Sequence, residues 1–271
     1  KPVPDRLFCF YRFHHSILSI FMLLICDMRN YFYSFCLLYL CTFVCNAQKQ
    51  YTFDHWLTYT RTFYKDSIKI EHRPFYTKDS TTTVIYLTNA NDNSYHAVVT
   101  PKGSLHYRLQ FKDENGLTFD VNLLKTELEQ ATKINIPCEF VSSYRNHFAF
   151  MTKHYAFSKV RDTLVDGKTQ HWYSFSPTSK RRQKRSKSGT KIYRVAPETE
   201  YHLPVFDYAV AFLDWQLAPK QIPNGIFAEK LFVDYYDHID QRDVLVSFHK
   251  IDKSIRIDAA CDYTQENSKS N

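Results

Sequence analysis

Between Ser104 and Lys112 the chain reads SLHYRLQFK, with Leu105, Tyr107, Leu109 and Phe111 on one side and His106, Arg108, Gln110 and Lys112 on the other. A period of two is the mark of a strand with one wet face. Asp113-Glu114-Asn115-Gly116 then supplies turn chemistry, and LTFDVNLL (117–124) starts the next strand. Upstream, TTTVIYLTN (81–89) and SYHAVVT (94–100) flank Ala90-Asn91-Asp92-Asn93, a second hairpin signal. Residues 53–64 are rich in Thr and aromatics, as strands are. Downstream, residues 153–165 and 168–176 flank Asp166-Gly167, the strongest short-range hairpin signal in the chain. Further strands are expected over 190–197, 226–236 and 243–251, with extended stretches over 201–208 around Pro204 and over 134–144, where Pro137 confines the chain to an edge or a bend. Two helices are expected, KTELEQA (125–131) and AVAFLDWQLA (209–218), the second ended by Pro219.

The pattern therefore predicts a mainly β protein: a single antiparallel meander of about ten strands, curled into a half-barrel around one or two short helices. The leader breaks that pattern. Met28-Arg29 is a short basic region, Tyr31 to Cys45 carries no charge, and Cys45-Asn46-Ala47 offers small residues before Gln48. This is the anatomy of a signal peptide, and the apolar run is shorter than the roughly 20 residues of a membrane span. Residues 28–47 are accordingly expected to be a signal peptide and 1–27 translated sequence upstream of the true start at Met28. The rival readings are a membrane anchor that also uses the apolar stretch Ser16–Cys26, and a lipid anchor on Cys45. Residues 48–258 are expected to be one β-rich domain and 259–271 a disordered tail. Export points to the periplasm or the outer-membrane periphery of a Gram-negative bacterium.

Composition changes this picture in three places. Of the 7 cysteines, Cys138 and Cys261 lie outside the leader. They form a candidate disulfide in an exported protein; the alternative is a buried thiol at Cys138 and a free one in the tail. Net charge is +7, and one run of seven basic residues, Lys180, Arg181, Arg182, Lys184, Arg185, Lys187 and Lys191, equals it. A basic balance concentrated in one segment argues against a broad nucleic-acid-binding face, and the run holds no aromatic on which bases could stack. It reads as a solvated hairpin tip or as a contact with anionic lipid headgroups, made by Lys180, Arg181, Arg182, Lys184, Arg185 and Lys187. A processing site at Arg182-Gln183-Lys184-Arg185 is a third reading. Aromatics are 17% of the chain while Gly numbers only 5, so Asn and Asp must supply much of the turn chemistry.

No local motif carries catalysis: GxSxG, HExxH, the P-loop and GxGxxG are all missing. Carboxylates can still meet in space from distant parts of a chain, so the question of an enzyme stays open, with a non-enzymatic role favoured. Asp234, Asp237, His238, Asp240 and Asp243 could offer oxygen ligands to Ca²⁺, but their spacing departs from an EF-hand loop and an exposed turn explains them as well. No metal, cofactor or nucleic acid is expected, and the oligomeric state is left open. The aromatic stripes remain. Leu105, Tyr107, Leu109 and Phe111, with Val84 and Tyr86, could line a cavity in a curled sheet or be plain core.

The leader ending in Asn46-Ala47-Gln48, followed by an aromatic, Thr-rich first strand, resembles small exported proteins of Bacteroidetes-type bacteria. Asp166-Gly167, then a strand, a charged turn, another strand and Leu203-Pro204-Val205-Phe206, is similar to the order in periplasmic lipoprotein carriers. That resemblance implies a curved antiparallel sheet around a helix, holding acyl chains. Ile222-Pro223-Asn224-Gly225-Ile226-Phe227 is similar to the GLPGLI-type secreted proteins, but it lacks the first Gly-Leu and inserts Asn224. The leading expectation is a non-enzymatic cell-envelope binding protein. It would hold a lipid, acyl or lipoprotein ligand on Tyr86, Leu105, Tyr107, Leu109 and Phe111. The alternative is a structural or protein-interaction protein of the envelope with a solid core and no ligand.

Overall fold

The computed structural model describes residues 48–64, 80–165, 167–219 and 221–264. The expected upstream segment and signal peptide (1–47) lie outside the described residues, as do Asp166 and the chain after Thr264. Among the described residues no helix is long and apolar enough to cross a membrane. The protein is mainly β: among the described residues thirteen strands form one open, curved sheet with three short α-helices.

β1 (Lys49–Phe63), β2 (Ser80–Asn89), β3 (Asp92–Lys102), β4 (His106–Asp113) and β5 (Leu117–Leu124) run as consecutive hairpins. Helix α1 (Lys125–Gln130) leads to β6 (Lys133–Ile136) and β7 (Val141–Ser143), which flank Pro137. β8 (Tyr155–Phe157) and β9 (Arg161–Val165) both pair with β10 (Lys168–Pro177), β9 across the tight turn at Gly167. Helix α2 (Lys180–Ser186) precedes β11 (Thr190–Val195), and helix α3 (Ala209–Leu217) precedes β12 (Phe227–Val233) and β13 (Ile239–Ile257).

The expected curled antiparallel sheet is present, in the strand order β7-β5-β4-β3-β2-β1-β13-β12-β11-β10-β8. The first and last strands pair in the middle, so two meanders share one seam, and the sheet's two ends lie at β7 and β8. β6 makes the one parallel pairing among the described strands, Lys133–Ile136 against Ser254–Ile257 of β13. With β6 on β13 and β7 on β5, the first meander comes close to wrapping on itself. Residues 201–208, expected to run extended around Pro204, join no ladder: Pro204 lacks the N–H a ladder would need, and the segment crosses the sheet instead.

The sheet buries a core on each of its faces. The first core takes Tyr51, Phe53, Trp56, Ile85, Leu87, Leu109, Phe111, Phe119 and Leu128 of α1. The second takes Leu57, Tyr59, Val84, Tyr86, Tyr173, Phe175, Tyr193 and Phe227, with α3 packed on them through Val210, Ala211 and Phe212. β2 is the partition. Val84 and Tyr86 enter one core and Ile85 and Leu87 the other, which is why VIYL is an unbroken apolar run. β1 changes allegiance along its length: Tyr51, Phe53 and Trp56 serve the first core, Leu57 and Tyr59 the second. The change falls at Asp54-His55, where the ladder with β13 shifts register by a bulge.

Candidate functional site

The five residues expected to hold a ligand do not gather in one place. Leu109 and Phe111 are sealed in the first core, and Phe111 stacks on Phe119 at 4.8 Å. Tyr107 is half-buried at that core's edge, its hydroxyl donating to Glu129 at 3.2 Å. Leu105 is 67% exposed, because it sits in the turn before β4 rather than on the strand. Tyr86 belongs to the opposite face. Alternation read correctly within β4 could not say that two cores exist, so the stripes line two interiors, and their side chains fill both.

Cys138 and Cys261 are bonded, with Cα atoms 5.6 Å apart. Cys261 is buried in the first core within a 3-10 turn, Ala259–Cys261. Ile222 to Phe227 forms a buried turn: Ile226 N–H donates to Thr199 Oγ1 at 2.8 Å, and Gly225 has φ +133° where a Cβ would meet Val195 at 2.5 Å. Only glycine fits there. The acidic cluster does not converge on a cation. Asp234 accepts N–H groups of Tyr236 and His238 at 2.7 and 3.1 Å, so it shapes a turn. Asp243 is drawn inside instead.

It joins an ionic row across four strands. Register places Arg61, Asp243, Lys230 and Tyr193 side by side on the face of the second core. Arg61 donates to both Asp243 oxygens at 2.8 Å and to the Tyr86 hydroxyl at 2.9 Å. Lys230 donates to Tyr86 at 3.1 Å and to Asp207 at 2.8 Å, and its Nζ lies 3.0 Å from Asp243. Lys191 reaches the other Asp207 oxygen at 2.7 Å. Three cations thus meet two carboxylates out of water. Burial alone would raise the Asp207 carboxyl, but Lys191 and Lys230 outweigh it and hold it well below the usual range. Asp243 is likewise lowered, against burial, by Arg61 and Lys230. Burial would lower the Lys230 ammonium, yet Asp207, Tyr86 and Asp243 raise it. The arrangement fixes the 203–208 crossing to the sheet, and burial, opposed by Asp207, lowers its Lys191 ammonium. Sequence reading passed over it. The signal was the charged pair Glu229-Lys230 inside the apolar run IFAEKLFV.

A second cluster lies at the β1 bulge. Asp54, His55 and His202 come together there, His55 and His202 being 2% and 0% exposed. Burial lowers the His202 pKa, opposed by its bond to the Leu203 carbonyl. Beside it a small cleft is lined by Asn89, Asp92, Asn93, His96 and His202. Burial, then Lys112, pushes His96 down to about 4.

The third feature is at the far end of the second core. The basic run is a helix rather than a loop tip: Ser179 caps it by accepting the Arg182 N–H at 3.4 Å, and Lys187 closes it in the left-handed region at φ 48°. Lys and Arg are good helix formers, which favours a helix over a loop here. Among its residues, Lys180, Arg181, Lys184, Arg185 and Lys187 are exposed, and Arg182 is half-buried. The adjoining 3-10 stretch Ala149–His154 packs on α3 and carries Phe150, with Phe148 just before it; both are 58% exposed. The two elements are neighbours, since Thr178 N–H donates to the His154 carbonyl at 2.9 Å and the Arg182 charge reaches His154.

No family model and no curated protein matches the chain. Among solved structures it is similar to MucB in the MucA/MucB complex of Pseudomonas aeruginosa, at 8% identity over 72% of this chain and 52% of that one, with a TM-score of 0.36. It is similar to MucB alone at 8% identity, 72% and 53% coverage and a TM-score of 0.34. A putative outer membrane lipoprotein-sorting protein domain from Vibrio parahaemolyticus matches at 10% identity, 73% and 85% coverage and a TM-score of 0.28. The chain spans about half the length of the MucB chains. At these scores the likenesses carry no argument about function.

Proposed function

We propose that the protein is a non-enzymatic binding protein of the cell envelope that meets an anionic lipid surface at the α2 end of the second core. The observation that carries this reading is a pair of exposed rings, Phe148 and Phe150, on a stretch whose last residue, His154, is bonded to Thr178 just ahead of a capped helix of basic residues. Aromatic side chains next to cations suit a headgroup boundary, where rings enter the acyl edge and charges stay with phosphates. Each buried Phe would contribute roughly 2 kcal/mol, and each Lys or Arg near an anionic surface about 1 kcal/mol. Two rings and several cations suffice for reversible attachment. The disulfide supports an oxidising compartment, in keeping with the leader over 28–47. The ligand contact moves from the sheet interior, where side chains fill the space, to this edge; acyl chains or a lipidated partner would be met from outside.

The test is co-sedimentation with vesicles of phosphatidylglycerol and phosphatidylcholine, against phosphatidylcholine alone. Binding should require the anionic lipid, weaken with salt, and fall by roughly two to three orders of magnitude in Phe148→Ala/Phe150→Ala. Equal retention on both vesicles, or binding indifferent to neutralising Lys180, Arg181, Arg182, Lys184, Arg185 and Lys187, would defeat it. The solid-core interaction protein would then be the better reading.

A further inference from the structure

The bulge that switches β1 between the cores also gathers three side chains able to bind a metal. Asp54 and His55 come from β1, and His202 comes from the crossing after β11. One ligand atom from each lies within 4.8 Å of the others. The imidazole rings are 5.1 Å apart and nearly perpendicular, at 80°.

The hydrogen bonds fix which nitrogen each ring presents. A carbonyl only accepts, so His202 Nδ1, 2.5 Å from the Leu203 oxygen, carries the proton and donates it. The lone pair of His202 is then on Nε2, where the Thr88 hydroxyl donates at 2.8 Å. The Asp54 carboxylate lies 2.7 Å from His55 Nδ1, so an ion shared by these two residues replaces that contact and sits on Nδ1. The ring proton is then on Nε2, which faces the Tyr201 hydroxyl at 3.3 Å. The Ala90 N–H holds Asp54 Oδ1 at 2.8 Å, so the carboxylate is itself anchored. Each ring is therefore backed by an oxygen and offers its second nitrogen forward, which is how imidazoles are presented to metals.

We propose that Asp54, His55 and His202 form a binding site for a divalent first-row transition ion, with Zn²⁺ the best suited. Two imidazoles and a carboxylate are the ligand types that zinc accepts and calcium does not seek. Zn–N and Zn–O bonds of about 2.1 Å put tetrahedral ligands roughly 3.4 Å apart, so the three need to close by about 1.4 Å at most. The Thr88 hydroxyl gives up its bond to Nε2 and turns away, and the proton between Asp54 and His55 Nδ1 is displaced as the ion takes its place. The Asp54 side chain is 40% exposed, so an ion can enter from that side and keep a water as its fourth ligand. An ion here would tie the 201–205 crossing to β1 at the seam between the cores. This differs from the sequence expectation of no metal, which weighed only the acidic cluster near Asp234.

The probe is Zn²⁺ itself, added to chelator-treated full-length protein and followed by calorimetry and thermal unfolding, with Co²⁺ absorption reporting ligand type. One ion per chain should bind, raise the melting midpoint as any native-state ligand does, and give a tetrahedral Co²⁺ spectrum. Asp54→Asn and His55→Gln should each weaken binding at least tenfold. Both are checked for folding by circular dichroism. If the buried His55→Gln fails to fold, the partly exposed Asp54→Asn decides alone. His171→Ala, at an exposed His beside Asp162, should change nothing. An unchanged midpoint with excess Zn²⁺ overturns the proposal, as does binding in Asp54→Asn equal to that of the parent.

Discussion

On the face of the sheet that holds Phe53, Phe111 and Phe119, the core is almost entirely neutral, and a disulfide closes its margin. Its buried carboxylate, Asp113, accepts the Tyr51 hydroxyl at 2.6 Å and the Asn115 N–H at 2.7 Å. On the opposite face, Arg61, Lys230, Lys191, Asp207 and Asp243 sit among Tyr59, Tyr86 and Tyr193. One sheet therefore secures its two faces by different physics. The first crossing element, α1 with β6 and β7, is held by apolar burial and a covalent bond. The second, 203–208 with α3, is held by apolar burial and ions. A covalent bond is indifferent to pH and salt, whereas buried charges are strong only while every partner keeps its ionisation.

The largest effect should come from the covalent staple. The bonded cysteines are 123 residues apart, and closing a loop of that size removes unfolded-state entropy equivalent to about 4–5 kcal/mol. Cys138→Ser/Cys261→Ser should lose most of that in urea unfolding, and reductant should destabilise the parent but leave the variant untouched. If the ionic face alone set stability, neither would matter.

Next comes Lys230→Met. It removes the ammonium shared by Asp207 and Asp243 but leaves each carboxylate one cation, so the loss should be about 3 kcal/mol, the low end for breaking a buried pair. Hydrogen exchange should locate the damage: protection falls in β10 to β12 while β4 and β5 stay protected. Equal loss on both faces would mean that the two cores unfold as one unit and the contrast is only chemical.

Acid should separate the faces without mutation. His96 is pushed down to about 4 by burial, then Lys112, against about 6.5 unfolded. Between those values the unfolded chain binds the extra proton. Stability is therefore full above about pH 6.5 and is lost as pH falls toward 4, by at most about 3 kcal/mol. Asp207 and Asp243, both lowered, contribute fully above the ordinary carboxylate range, about 3.9. That contribution is lost only at lower pH, as the solution passes through their folded values. Unfolding measured from pH 7 to 3 should show the histidine loss first; His96→Gln should reduce it, with His202, also lowered by burial, supplying the rest.

What could be read from sequence divides along the same line. Local chemistry was legible: LTFDVNLL is β5 residue for residue, and β9 and β10 meet across Asp166-Gly167. Alternation gave β4 and β5, because each has one wet face. Pairing between β1 and β13 was not legible, since no turn links them and their register rests on contacts far apart in the chain. Nor was the ionic row, whose members are scattered from Arg61 to Asp243 and meet only when β1, β11, β12 and β13 lie side by side. The histidine cluster needed an irregular crossing to bring His202 to His55, and no periodicity describes such a segment. The basic run was seen as a charge feature, but the Ser179 cap that makes it a helix was overlooked.

The smallest effect on stability should come from that helix. α2 carries Lys180, Arg181, Arg182, Lys184 and Arg185 in seven residues with no acidic partner in its first turn, so like charges repel at close spacing. Replacing Lys180, Arg181, Lys184, Arg185 and Lys187 by Gln relieves the repulsion, while the Ser179 cap and the αL end are retained. Gln is nearly as good a helix former as Lys or Arg. Stability should change by less than about 0.5 kcal/mol, and both faces should keep their exchange protection. The same variant should lose anionic-vesicle binding. A residue set that is neutral for folding yet decisive at a lipid surface is selected for what lies outside the fold. A drop of several kcal/mol instead would mean that α2 belongs to the second core's framework, and its charges would then be structural.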